Sequence, residues 1–113
     1  DADAAPRIVE SIRCFQRVDF KDFLVSALVA LSGAYAASNP RRAARLLGAA
    51  RTLRVPLGPA QFPWEEGWAA STEERVRDLI GESLADAEIS EGADGPAAVV
   101  AEALDEAASG PVS

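Results

Sequence analysis

Histidine is absent from this sequence, and cysteine occurs once, as Cys14. Without histidine the chain lacks the side chain that most often serves as a general base near neutral pH. With a single cysteine it can neither assemble the Cys/His set of a structural zinc site nor close an internal disulfide. Cys14 reads as a small buried apolar residue. The sequence holds no run of about 18 apolar residues that could cross a bilayer, and no basic stretch ahead of an apolar one marks a secretory signal. The chain therefore reads as cytoplasmic. A glycine-rich strand-to-helix loop and a Walker-type GxxxxGK(S/T) phosphate cradle are also missing. No catalytic residue, metal ligand or cofactor is expected, and the chain does not read as an enzyme. The nearest candidates are the adjacent carboxylates Glu65-Glu66 and Glu73-Glu74. They point about 100° apart on a helix and read as solvated or capping groups.

Aromatic residues are few, at 6%, while apolar residues reach 49%. Abundant alanine and sparse β-branched residues favour close-packed helices over sheets. At 113 residues the chain is one domain with a modest core. It begins at Asp1 rather than Met, which we read as a piece of a larger protein. The net charge of −7 is unevenly spread. Residues 1–64 hold nine basic and five acidic groups, and residues 65–113 hold two and thirteen, so the halves differ in sign. Such asymmetry either orients a partner or neighbouring domain over roughly 8–10 Å, or only reflects solvated helix faces, which is the plainer reading.

The most informative stretch is Pro40–Arg54. On a helical wheel Ala43, Leu46, Leu47, Ala50 and Leu53 fall within about 120° of one another, the apolar stripe of a packed helix. Ala44 and Gly48 lie beside it, small enough to admit a second helix. Pro40 suits the first helical position, where its missing N–H is no loss, and Pro56 stops the helix. Upstream, a helix over 20–37 has Phe20, Phe23, Leu24, Ala27, Leu28, Leu31, Ala34 and Tyr35 on its main face and Val25, Val29, Ala30, Gly33 and Ala36 on the others. Being apolar nearly all round, it should sit centrally and be covered nearly all round. The short turn Ser38-Asn39-Pro40 makes the two helices an antiparallel α-hairpin.

Elsewhere the pattern is plainer. Residues 1–5 and 109–113 should fray. Pro6 opens a helix ending near Val18, with Ile8, Ile12 and Phe15 at i, i+4 and i+7. Residues 55–70 read as an irregular Pro/Trp segment, with at most one helical turn after Pro63. Ser71-Thr72-Glu73-Glu74 has the pattern of a capping box opening a helix through about Ala87, with Val76, Leu79, Ile80, Ser83 and Ala87 inward. Glu73 and Arg77 are spaced for an i, i+4 ion pair. Gly92–Gly95 reads as a loop, and Pro96 starts a last helix to about Ala108. The expected fold is all-α, about five to six helices in antiparallel hairpins.

The segment Pro40-Arg41-Arg42-Ala43-Ala44-Arg45-Leu46-Leu47-Gly48-Ala49-Ala50 resembles the recurring P-E-R-A-A-R-L-L-G-A-A of a known family, with only Arg41 departing. That family is the helical, tetratricopeptide-like C-terminal sensor region of bacterial ATPase transcriptional regulators of the MalT and antibiotic-regulator types. Phe15, Asp19 and the Ala27-Leu28…Leu31 spacing are similar to the stretch preceding that motif. Ile80-Gly81-Glu82 and Glu91-Gly92 are similar to its end, so the likeness spans roughly residues 15–104. Leu31, Ser32 and Tyr35 would fill first-helix repeat positions, and Ala43, Leu47 and Ala50 second-helix ones. The repeat is degenerate, because Asn39 stands where a turn glycine is usual. The resemblance implies a sensor or interaction module coupled to ATPase and DNA-binding domains outside this stretch.

The expected function is thus non-catalytic: a helical-repeat module binding a protein, a peptide or a small inducer. The alternatives are a capping module that ends an array and self-associates as a homo-oligomer, and, more distantly, a small-molecule-binding bundle. Tyr35, Phe62, Trp64 and Trp68 are the candidate partner-binding residues, although the three around Pro63 read more readily as a hydrophobic cap on the stack. Ala43, Leu47, Gly48 and Ala50 are the expected helix-packing residues. Arg41, Arg42, Arg45, Arg51 and Arg54 lie on several faces of an acidic molecule, so no nucleic-acid contact is expected. They should instead pair with the acidic face of residues 73–106.

Overall fold

A computed structural model of the protein describes residues 20–60 and 62–109. These form five α-helices: α1 (Phe20–Tyr35), α2 (Pro40–Arg54), α3 (Trp64–Ile80), α4 (Glu82–Asp94) and α5 (Pro96–Ser109). A 3-10 turn, Val55–Leu57, follows α2, and there is no strand among the described residues. The fold is all-α. The expected helix from Pro6 to Val18, Cys14 within it, residues 1–5 and residues 110–113 lie outside the described residues, whereas Ser109, expected to fray, ends α5. No helix among the described residues is long and apolar enough to cross a membrane.

The α1–α2 hairpin is closed by local chemistry. The Asn39 N–H donates to the Tyr35 carbonyl at 2.7 Å, and the Asn39 carboxamide oxygen accepts from the Arg42 N–H at 3.3 Å, satisfying an orphan donor of α2. Asn39 thus works as an N-cap at the place where the repeat pattern prefers glycine. Pro40 occupies the first turn, and α2 ends at Arg54, two residues before Pro56.

The centre of the molecule is α2 rather than α1. Packed by α1, α3, α4 and α5, it buries Ala43, Ala44, Leu46, Leu47, Gly48, Ala49 and Ala50. Two core clusters meet along it. Leu46 and Ala50 join Val25, Leu28 and Val29 of α1, with Val99 and Val100 of α5 against them. Ala43 and Ala44 join Ala36, Val76 and Ala85, with Ile89 alongside.

The structure also turns most of α1 over. It buries Asp22, Val25, Ser26, Leu28, Val29 and Ser32, with Ala36 just past its end, and of these only Leu28 belongs to the expected main face, whose Phe23, Ala27 and Ala34 are exposed. With both faces apolar, periodicity could not choose between them, and the fit against α2 decided. The smaller β-branched face packs closely on an alanine-rich partner.

Three boundaries differ from expectation. Residues 64–70 are helical, because α3 begins directly after Pro63. A proline is harmless just ahead of the first turn, and Glu65 and Glu66 suit the positive end of the helix dipole. Ser71 is therefore an exposed mid-helix residue and caps nothing. The helix expected to run on to Ala87 breaks at Gly81, whose φ of +88° ends α3 and starts α4. Val76 is buried and Ile80 half-buried, but Leu79, still ahead of the break, is exposed, and so are Ser83 and Ala87, which the break re-aims. Finally, Gly92 is inside α4, not in a loop, and is buried against α2.

Candidate functional site

Two surface features are built by these elements, and both involve the N-terminal half of α3. The first starts from a buried ion cluster. The Arg54 guanidinium, at the end of α2, donates to both carboxylate oxygens of Glu65, at 3.2 and 2.8 Å, and also to the Asp22 carboxylate. The Ser26 hydroxyl donates to Glu65 as well. Asp22 and Glu65 are only 8% and 7% exposed at the side chain, and Arg54 16%. Two nearly buried carboxylates therefore share one arginine, pinning α3 to the α1–α2 hairpin by charge-assisted bonds.

Beside this cluster a cleft of about 320 Å³ opens between α1, α2, α3 and the Pro59-Ala60 segment. Its floor is apolar, made by Val25, Val29, Leu47, Ala50 and Ala69, and its mouth carries Arg51, Glu66 and Glu73. Arg51 and Glu73 form an ion pair across the mouth. Glu73 also accepts from Arg77 at 2.8 Å, one turn on. The hydrogen bond from Arg51 holds the Glu73 carboxyl below its ordinary range, with Arg77 adding to it and burial opposing. Arg77, tied to Glu73 and to Asp86, has its own pKa raised.

The second feature is an aromatic row. Phe62 and Trp64 stack with ring centroids 5.9 Å apart, and Trp64 meets Trp68 edge-on at 6.0 Å. The cap reading fails for this row. Trp64 is 43% and Trp68 49% exposed, because α3 starts early enough to carry both along the flank of the stack. The Trp68 indole lies against the backbone of Gly33, where a β-carbon would fall 2.7 Å from Cε2. Tyr35 is not part of the row. It is half-buried, with the Arg42 guanidinium 4.6 Å above its ring.

Of the other α2 arginines, two are placed by acids, whereas Arg41 is exposed. Arg45 pairs with Glu88 at 2.5 Å and Arg42 with Glu102 at 3.2 Å, within the acidic face expected from the sequence. Arg54 instead turns to Asp22 and Glu65. Ala43, Leu47, Gly48 and Ala50 are buried at the centre of α2. The buried ion cluster went unread in the sequence. Its one signal is the eleven-residue spacing of Arg54 and Glu65 around a proline-rich bend, too unspecific to act on. No family model, curated protein or solved structure matches the chain.

Proposed function

We propose that this chain is a non-catalytic helical sensor module and that the cleft beside Arg54 accepts a small, largely apolar inducer. The observation that carries the reading is the cleft itself. Its volume is at the lower end of the range for small-ligand sites, its floor is apolar, and a few charged groups converge at its mouth. The architecture supplies a route for a response. The cleft walls come from three helices, and α3 is held to the hairpin by the Arg54 cluster and joined to α4 through Gly81. A ligand that fits better with α3 in one position shifts α3 by its differential affinity for the two positions. Coupling to ATPase and DNA-binding domains of a larger transcriptional regulator, in a bacterial cytoplasm, rests only on the sequence resemblance over roughly residues 15–104, whose main mark is Pro40–Ala50. The repeat character of the array rests there too.

The test is a ligand-observed NMR screen of the intact chain against compact apolar compounds bearing one polar group, repeated on Ala69→Phe, which fills the cleft. Binding that disappears in Ala69→Phe supports the reading. A screen without binders, or binders indifferent to Ala69→Phe, overturns it.

A further inference from the structure

The charges around the cleft beside Arg54 do not balance. Arg54 alone answers the two carboxylates of Asp22 and Glu65. At the mouth and behind it, Arg51 and Arg77 answer three, those of Glu73, Glu82 and Asp86. Glu66, exposed in the first turn of α3, lines the cleft, and its carboxylate has no hydrogen-bond or ion-pair partner among the described residues. Each of these three groups therefore carries one negative charge more than its bases cancel. No further basic side chain among the described residues lines the cleft. The helix ends do not make up the difference. The start of α3 and the end of α2 meet here, and their partial charges, roughly half a unit each, are of opposite sign.

This excess decides what the polar end of a ligand can be. An anion would have only Arg51 to turn to, since Arg54 commits its donors to Asp22, Glu65 and Ser26. Taking Arg51 would cost Glu73 one of its two partners and add a charge of the sign already in excess. A cation breaks nothing, because Glu66 offers it a free carboxylate at the mouth.

The floor fixes the rest of the molecule. Val25, Val29, Leu47, Ala50 and Ala69 are aliphatic, and the carboxylate beside them, Glu65, is buried and already bonded to Arg54 and Ser26. A charge placed on that floor would be desolvated without a partner, so the cation has to stay at the mouth while hydrocarbon goes in. Alkyl amines suit both ends, being ammonium ions at neutral pH with a compact head of donors.

We propose that the ligand of this cleft is a compact aliphatic amine, bound as its ammonium ion with the head on Glu66 and the hydrocarbon on the floor formed by α1, α2 and α3. Its identity rests on the reading of the cleft as an inducer site and names the chemistry that site selects.

Three probes that share one rigid cage, adamantylamine, adamantanol and adamantanecarboxylate, separate the charge of the head from the shape of the body. Titrated at neutral pH into the isotopically labelled intact chain, adamantylamine should shift the amides of Ala50 and Ala69. It should bind several-fold more tightly than the alcohol, with the carboxylate weakest. Glu66→Gln should remove most of that preference and leave the alcohol's affinity unchanged. Glu91→Gln, the same charge change on an exposed side chain of α4, should alter neither. Alcohol or carboxylate binding as tightly as the amine, or an amine preference that Glu66→Gln leaves intact, overturns the amine assignment while the inducer site stands. Amine shifts that persist in Ala69→Phe put the amine on the acidic surface outside the cleft and overturn it as well. If none of the three moves the cleft amides, the inducer site falls with it, since the neutral probe tests the cavity without the charge.

Discussion

Gly48 of α2 and Gly92 of α4 each lie against the backbone of the other's helix. A β-carbon on Gly48 would fall inside the Ile89 carbonyl and 2.9 Å from the Ala93 nitrogen. One on Gly92 would fall inside the Arg45 carbonyl and 2.8 Å from the Arg45 Cα. The contact is reciprocal, so neither helix can yield by moving a side chain. Gly48→Ala and Gly92→Ala should each destabilise the fold, on the order of 1–3 kcal/mol, by forcing the helices apart, and Gly48→Leu should cost at least as much. Urea unfolding reads this as a lowered midpoint at unchanged slope. A neutral Gly48→Ala would mean that α2 and α4 do not cross this closely.

Gly67 provides the opposite case within the same fold. It lies inside α3, exposed, and a β-carbon there meets nothing within 4 Å. All that glycine does at this position is leave the unfolded chain freer. Gly67→Ala should therefore stabilise the protein by about 0.5–1 kcal/mol. The comparison with Gly48→Ala, measured under the same conditions, separates close packing from propensity.

Removing Arg54 should be more damaging than its position at a helix end suggests. Its loss leaves Asp22 and Glu65, both over 90% buried, without a cation. Arg54→Met should cost about 3–5 kcal/mol, most of it from uncompensated buried charge. Asp22→Asn in the same background removes one of those charges and should recover part of the loss. If Arg54→Met unfolds at the wild-type midpoint, the cluster is not the anchor of α3.

How much of this was legible in the sequence depended on whether a feature was locally written. The α1–α2 hairpin and the limits of α2 were legible because Asn39, Pro40 and Pro56 act through the backbone within a turn or two of themselves. Of the glycines only Gly48 was legible, as a small residue inside a helix that admits a second one. Gly67 and Gly92 are also inside helices while Gly81 ends one, and what distinguishes them is a neighbouring helix or a positive φ, neither of which is sequence-local. The inward face of α1 was illegible for a related reason, since two apolar faces carry no contrast. Glu65 was read as solvated because its partners, Arg54 and Ser26, are brought to it by the bend at 55–63 and by α1. The aromatic row was named correctly as a group but expected to be covered. Its exposure follows from the start of α3 at Trp64, which the prolines on either side of Phe62 had hidden.

Glu73 links the cleft mouth to the start of α4, and its link should be lost in acid. The carboxylate accepts from Arg51 of α2 and Arg77 of α3, while Arg77 also holds Glu82 and Asp86 at 2.7 and 2.8 Å. The hydrogen bond from Arg51 is the main reason the Glu73 pKa falls below its ordinary value of 4.5. A carboxyl whose pKa is depressed by folding adds stability above the unfolded value and loses it as the pH falls through the folded one. The contribution should thus be complete at neutral pH, begin to fade below about pH 4.5, and be gone once Glu73 is protonated in both states. Glu73→Gln keeps the side-chain volume and removes the charge. Its stability deficit relative to the wild type, followed by urea unfolding from pH 7 downwards, should be constant to about pH 5 and then close. A deficit that keeps its size at the acid end would show that Glu73 acts through packing, not through its charge.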